Sequence, residues 1–75
     1  MMDHFYEKLE GILEADGLGR ESAVADIENW DSLGVLAVLA MIDSTYKATV
    51  TSEELAKVIK LGDLEDIVAA KAAKR

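Results

Sequence analysis

The stretch Trp30-Asp31-Ser32-Leu33-Gly34-Val35-Leu36-Ala37-Val38-Leu39-Ala40-Met41-Ile42-Asp43-Ser44-Thr45-Tyr46 decides the fold. Asp31 or Ser32 suits a helix start, because a short side-chain oxygen can accept a hydrogen bond from a free N–H of the first turn. Behind it, Val35, Val38, Leu39, Ile42 and Tyr46 recur at helical spacing and form one apolar stripe. A surface helix should be polar opposite such a stripe. Here the opposite face reads Leu33, Leu36, Ala37, Ala40, Met41 and Ser44. The helix, expected over about 32–46, is apolar nearly all round. Either it sits at the centre of a bundle, or its second face meets something else. It cannot span a bilayer: the apolar run from Leu33 to Ile42 is ten residues, against the ~20 a spanning helix needs.

Upstream, residues 16–31 read as a long connection. Gly17, Gly19, Ser22, Asp26 and Asn29 interrupt any period, while Val24, Ile27 and Trp30 are spaced as anchors to a core. A helical turn is expected near residues 22–25. Loops of this length in a small domain are usually functional. Before it, Met2, Phe5, Leu9, Ile12 and Leu13 share one helix face, with Glu7, Glu10 and Glu14 opposite. This helix is expected over about 3–15, ended by Gly17 and Gly19. Downstream, Thr51-Ser52-Glu53-Glu54 has the form of a capping box and opens a short helix over about 52–59. Gly62 then breaks the pattern, and Asp63 caps a last helix over about 63–73, with Leu64, Ile67 and Val68 as its stripe. Its end, Lys71-Ala72-Ala73-Lys74-Arg75, puts cations where the helix dipole favours them. Val50 and its threonine neighbours are β-prone, but the run is too short for a strand.

The expected fold is therefore an all-α four-helix bundle forming one domain over residues 1–75. Its third helix is short and its first loop long. The expected core is Phe5, Leu9, Ile12, Val35, Val38, Leu39, Ile42, Tyr46, Leu55, Leu64, Ile67 and Val68.

The 75 residues carry a net charge of −7, with no Cys and no Pro. The charge is uneven. Residues 1–46 hold ten acids against Lys8 and Arg20, net −8; residues 47–75 hold five acids against six bases, net +1. Such a balance argues against nucleic acid and anionic membranes, which reward Lys and Arg. Without cysteine no disulfide or thiolate metal site can staple the core. The start, Met1-Met2-Asp3-His4, is acidic and lacks a following apolar run, so no signal peptide is expected and the chain is expected in the cytoplasm.

Catalytic inventory is thin. The one imidazole, His4, lies near a terminus and has no evident nucleophile to serve. Gly17-Leu18-Gly19 follows no strand and is not a phosphate loop. The window Asp43–Glu54 has the length of a calcium loop, but Lys47 stands where a ligand belongs and Ala48 where the turn needs glycine. What remains is Asp31-Ser32-Leu33 at the mouth of the apolar helix. As structure alone it is a cap. As chemistry it presents Ser32 at a helix N-terminus, where free N–H groups and the dipole suit a phosphate ester, beside an aspartate that can hold a divalent cation.

In this setting Asp31-Ser32-Leu33 resembles the phosphopantetheine attachment motif of acyl carrier proteins and their peptidyl and D-alanyl carrier relatives. The resemblance spans nearly the whole chain, from the amphipathic first helix to the Gly62-Asp63-Leu64 entry of the last. It implies a non-catalytic carrier of the stand-alone type, with a 4'-phosphopantetheine arm on Ser32, donated by coenzyme A. It gives Asp31 a role in the magnesium-dependent modification. It also implies a phosphopantetheinyl transferase, a ligase that loads acyl or aminoacyl groups, and downstream enzymes as partners of a monomer. The family usually continues the motif with acids along the second helix, where basic partners dock. This chain has Gly34, Ala37 and Ser44 there, leaving only Asp43. A largely apolar docking face is expected from Leu33, Leu36, Ala37, Ala40 and Met41, joined by Val58. Trp30 is either a loop anchor or a ring beside the arm used by a partner. The loop acids Glu21, Asp26, Glu28 and Asp31 either are simply solvated or also steer a basic transferase. The rival expectation is a small helical interaction module with no prosthetic group.

Overall fold

The computed structural model describes residues 4–73. Among them lie α1 (Phe5–Leu13), a 3-10 turn (Val24–Asp26), α2 (Ser32–Tyr46), α3 (Ser52–Ala56) and α4 (Leu61–Ala73). No strand occurs among the described residues, beyond an isolated antiparallel bridge between Ala23 and Lys60. The molecule is the all-α, four-helix bundle expected from the hydrophobic periodicity. Met2 and Asp3 of the expected first helix, and Lys74 and Arg75 of the last, lie outside the described residues.

Helix α1 buries Phe5, Leu9 and Leu13 completely, a 4-residue stripe that faces α2. It ends earlier than the glycines suggest. Glu14, not glycine, takes the left-handed conformation (φ 55°), and its N–H donates to the Glu10 carbonyl. The side chain of Glu10 then accepts the Leu18 N–H at 3.0 Å, which starts the turn back. Gly17, with φ 72°, serves the loop instead.

Helix α2 runs as expected. Val38 and Ile42 are fully buried; Val35, Leu39 and Tyr46 are half-buried. Phe5 packs edge-to-face on both Tyr6 and Tyr46, with ring centres 5.2 and 5.9 Å apart. After the helix the chain is extended: Ala48 and Val50 turn inward while Lys47, Thr49 and Thr51 face out. That period of two explains the β-prone composition, although no partner strand is present among the described residues.

The capping box at α3 is made in both directions. The Thr51 hydroxyl accepts the Glu54 N–H at 3.1 Å, and Glu54 Oε1 accepts the Thr51 N–H at 2.9 Å. The helix itself is one turn and stops at Ala56, shorter than expected.

Helix α4 starts two residues before the expected cap, and Gly62 lies inside its first turn. The cause is tertiary. The first loop supplies acceptors for the free N–H groups of the helix start: Ser22 O for Leu61 (2.9 Å) and Arg20 O for Gly62 (3.0 Å). Asp63 reaches back to accept the Ile59 and Lys60 N–H groups, both at 3.0 Å. Gly62 suits this close approach, because a Cβ there would press on the Arg20 carbonyl oxygen and side chain. Side chains tie the same loop to α4. Arg20 grips Glu65 (2.7 Å) and Asp66 (3.1 Å), and Glu21 pairs with Lys60 just before the helix (2.8 Å); from α1 the Tyr6 hydroxyl also donates to Glu65 (2.7 Å). Burial, then the Glu65 contact, pushes the Tyr6 phenol above its usual range.

The core holds the expected Phe5, Leu9, Val38, Ile42, Leu64 and Val68, and also Leu13, Ile27, Ala48, Val50, Val58 and Leu61. Ile12, Leu39, Tyr46, Leu55 and Ile67, expected inside, pack against it half-buried.

Candidate functional site

The loop that delivers Ser32 to the head of α2 is pinned at both ends. The Asn29 carboxamide N–H donates to the Leu13 carbonyl at 2.7 Å, which fastens the loop to the end of α1. The Asn29 carbonyl accepts the Asp31 N–H at 2.9 Å. Asp31 is the cap: its Oδ1 accepts the Gly34 N–H at 2.9 Å, and its carbonyl accepts the Val35 N–H at 2.8 Å. Between them Ile27 is buried, and Val24 and Trp30 pack half-buried against the core, so the three spaced apolar residues do anchor the connection.

Ser32 is the first residue of α2 and is exposed. Because Asp31 supplies the cap, the Ser32 hydroxyl is not committed to the helix end. It sits where the N-terminal N–H groups and the dipole favour a phosphate ester. Asp31 is exposed beside it. The residues present thus fit a phosphate-linked group on Ser32.

Gly34 has a structural reason that its position in the motif hid. A Cβ at Gly34 would collide with the Asn29 carbonyl oxygen. An acidic side chain at this point of α2 is excluded by the same contact that holds the loop down.

Around Ser32 the apolar face is largely exposed. Leu33 is 78% exposed and Leu36 62%, and Ala37, Ala40 and Ser44 are exposed as well. These residues share one face at the 3-4 spacing of the helix. Two expected members behave differently. Met41 is half-buried against the core. Val58 is a correction: it is 6% exposed and belongs to the core. Helix α3 stops at Ala56, so the helical phase is lost, and the turn points Val58 inward and Ile59 outward. Ile59, 69% exposed, is a surface residue that the periodicity missed. Only the early end of α3 would have revealed it.

A shallow groove of about 290 Å³ opens beside the serine, lined by Ile12 and Glu14 of α1 and its cap, Asn29 and Asp31 of the loop, and Leu33, Gly34 and Ala37 of α2. Of the loop acids, Glu21 is taken up by Lys60, which holds its carboxyl below the usual glutamate range. Asp26, Glu28 and Asp31 are exposed and keep the approach to Ser32 negative. His4 is exposed with its Nδ1 2.7 Å from Glu7, far from this site in the chain and engaged locally. Glu54, the end of the calcium-loop window, is bound to Thr51 and Lys71.

No protein-family model matches the chain, and no curated protein is a significant match. Among solved structures, the chain is similar to a holo acyl carrier protein from Geobacter metallireducens, determined by solution NMR. The two share 31% identity and superpose with a TM-score of 0.82, over 97% of this chain and 86% of that one. The chain belongs to the acyl carrier protein family. Among the described residues no helix is long and apolar enough to cross a membrane.

Proposed function

We propose that this chain is a non-catalytic carrier whose Ser32 hydroxyl takes a 4'-phosphopantetheine arm from coenzyme A. The observation that carries the reading is Ser32 itself: exposed at the first position of α2, with Asp31 relieving it of the capping role. When bound, the arm supplies the thiol that holds acyl or aminoacyl groups as thioesters. Asp31, adjacent and exposed, assists the magnesium-dependent modification. Asp26 and Glu28 help to steer a basic phosphopantetheinyl transferase toward the site. Leu33, Leu36, Ala37 and Ala40 form an apolar face for the loading ligase and acyl-using enzymes. The visible part of Met41 edges it, and half-buried Trp30 serves first as the loop anchor. The carrier works as a cytoplasmic monomer.

Intact mass tests the proposal directly. Incubation with coenzyme A, magnesium and a broad-specificity transferase should add one phosphopantetheine, and Ser32→Ala should abolish the gain. An unmodified wild-type protein would instead favour an interaction module that works without a prosthetic group.

A further inference from the structure

The groove beside Ser32 has a definite chemical character. One wall is apolar: Ile12, Leu33 and Ala37. The rim is polar: Glu14, Asn29 and Asp31. Gly34 is also in its lining, and there the Asn29 carbonyl takes the place of a side chain. Nothing in the folding of the domain accounts for Leu33, which stands 78% exposed on the groove's lip. An isolated exposed leucine is ordinary. One that lines a depression next to a modification site has a ligand to explain it.

Resting on the carrier reading, we propose that the α1–α2 groove is a docking site for the phosphate-proximal half of the pantetheine arm. That half has two geminal methyl groups, a hydroxyl and an amide. The methyls match the Ile12–Leu33–Ala37 wall. The hydroxyl and amide N–H are donors, and the Glu14 and Asp31 carboxylates are acceptors on the rim. Ser32 and Ala37 are five residues apart, about 7.5 Å along the helix. Extended, the arm is longer than this, so its thiol end lies beyond the groove. The groove therefore orders the root of the arm and leaves the thioester outside the protein.

The test uses isotope-labelled protein carrying an unlabelled arm, with the modification verified by mass. Filtered NOE spectra should connect the arm's methyl protons to the side chains of Ile12, Leu33 and Ala37. Amide shifts between apo and holo protein should extend from residues near Ser32 to Ile12, Glu14 and Asn29. Ile12→Ala, which strips the α1 side of the apolar wall, should still accept the arm but lose the NOEs to Leu33 and Ala37. Its arm resonances should sharpen. A modified wild-type protein whose arm shows no NOE to the groove, or NOEs only to another surface, overturns the inference while the carrier reading stands. Absence of any mass gain overturns both.

Discussion

Gly34 and Val38 are one turn apart on α2 and fail for opposite reasons when changed. Alanine favours helix over glycine by about 1 kcal/mol, so Gly34→Ala would ordinarily stabilise. Here the added methyl meets the Asn29 carbonyl. We expect a net loss of about 1–3 kcal/mol, typical of overpacking, read as a lower urea midpoint with an unchanged slope. A rise in the midpoint would show that the loop moves aside easily. Val38 has no exposed surface. Val38→Asp buries an unpaired charge at a cost of about 3–5 kcal/mol or more, against a total of about 4–11 kcal/mol for a chain this size. The variant should lose its cooperative thermal transition, and retention of one would contradict the assigned core stripe. Val38 was legible in the sequence because helical periodicity marks it. Gly34 was not: its constraint comes from a backbone atom on another segment, and no local pattern reports a contact of that kind. Val58 was misread, and Ile59 missed, for a related reason. Their orientation depends on where α3 stops, and element ends are set by fine hydrogen-bond competition.

The start of α4 carries the clearest element-scale lesson. The sequence placed its cap at Asp63, since glycine usually ends or precedes a helix. The helix instead begins at Leu61, because loop carbonyls from residues 20 and 22 satisfy its first N–H groups. The capping box of α3 was legible since all its parts lie within four residues. The α4 cap spans some forty residues of chain and left no local trace. Asp63 still contributes, from inside the first turn. The Lys60 and Ile59 N–H groups hold its carboxyl below the usual value of 3.8. The folded state thus binds this proton less tightly than the unfolded chain. The resulting stability is present above 3.8 and is lost as pH falls through the lower folded value. Glu21 and Glu54 behave alike below their usual 4.5, through Lys60 and through the Thr51 N–H. The melting temperature should be flat from neutral pH to about 5 and decline below 4.5. In Asp63→Asn that decline should be shallower. Parallel declines would remove Asp63 from the account.

Across the whole molecule, charge and apolarity are separated. The acids gather in the first half of the chain, while the exposed face of α2 carries little charge. Modification and pathway docking should then respond differently to salt. The Debye length shrinks from ~30 Å at 0.01 M to ~8 Å at 0.15 M. Over this range kcat/KM for transferase modification should fall about tenfold or more, as for steered encounters. Replacing Asp26 and Glu28 by asparagine and glutamine should remove most of that dependence. A rate indifferent to salt would leave the loop acids as plain solvated residues. The bundle, and the place of Ser32 at the head of α2, were readable from periodicity and the helix-start residues. The groove was not, because it arises where α1, the loop and α2 meet.

The carbonyls of Arg20 and Ser22 that finish α4 also set an order of events in the cell. A ribosome releases the chain from its N-terminus, so the first loop emerges long before residues 61 and 62 exist to receive it. Until then residues 20–22 lack their α4 partners, and closing so distant a contact is slower than closing a local one. Asn29 and Asp31, tied to Leu13 and to the first turn of α2, need nothing beyond residue 35. On a chain made from its N-terminus, the head of α2 thus has all its partners before α4 exists, and the stretch around residues 20–22 is the part of the loop that waits for the last helix.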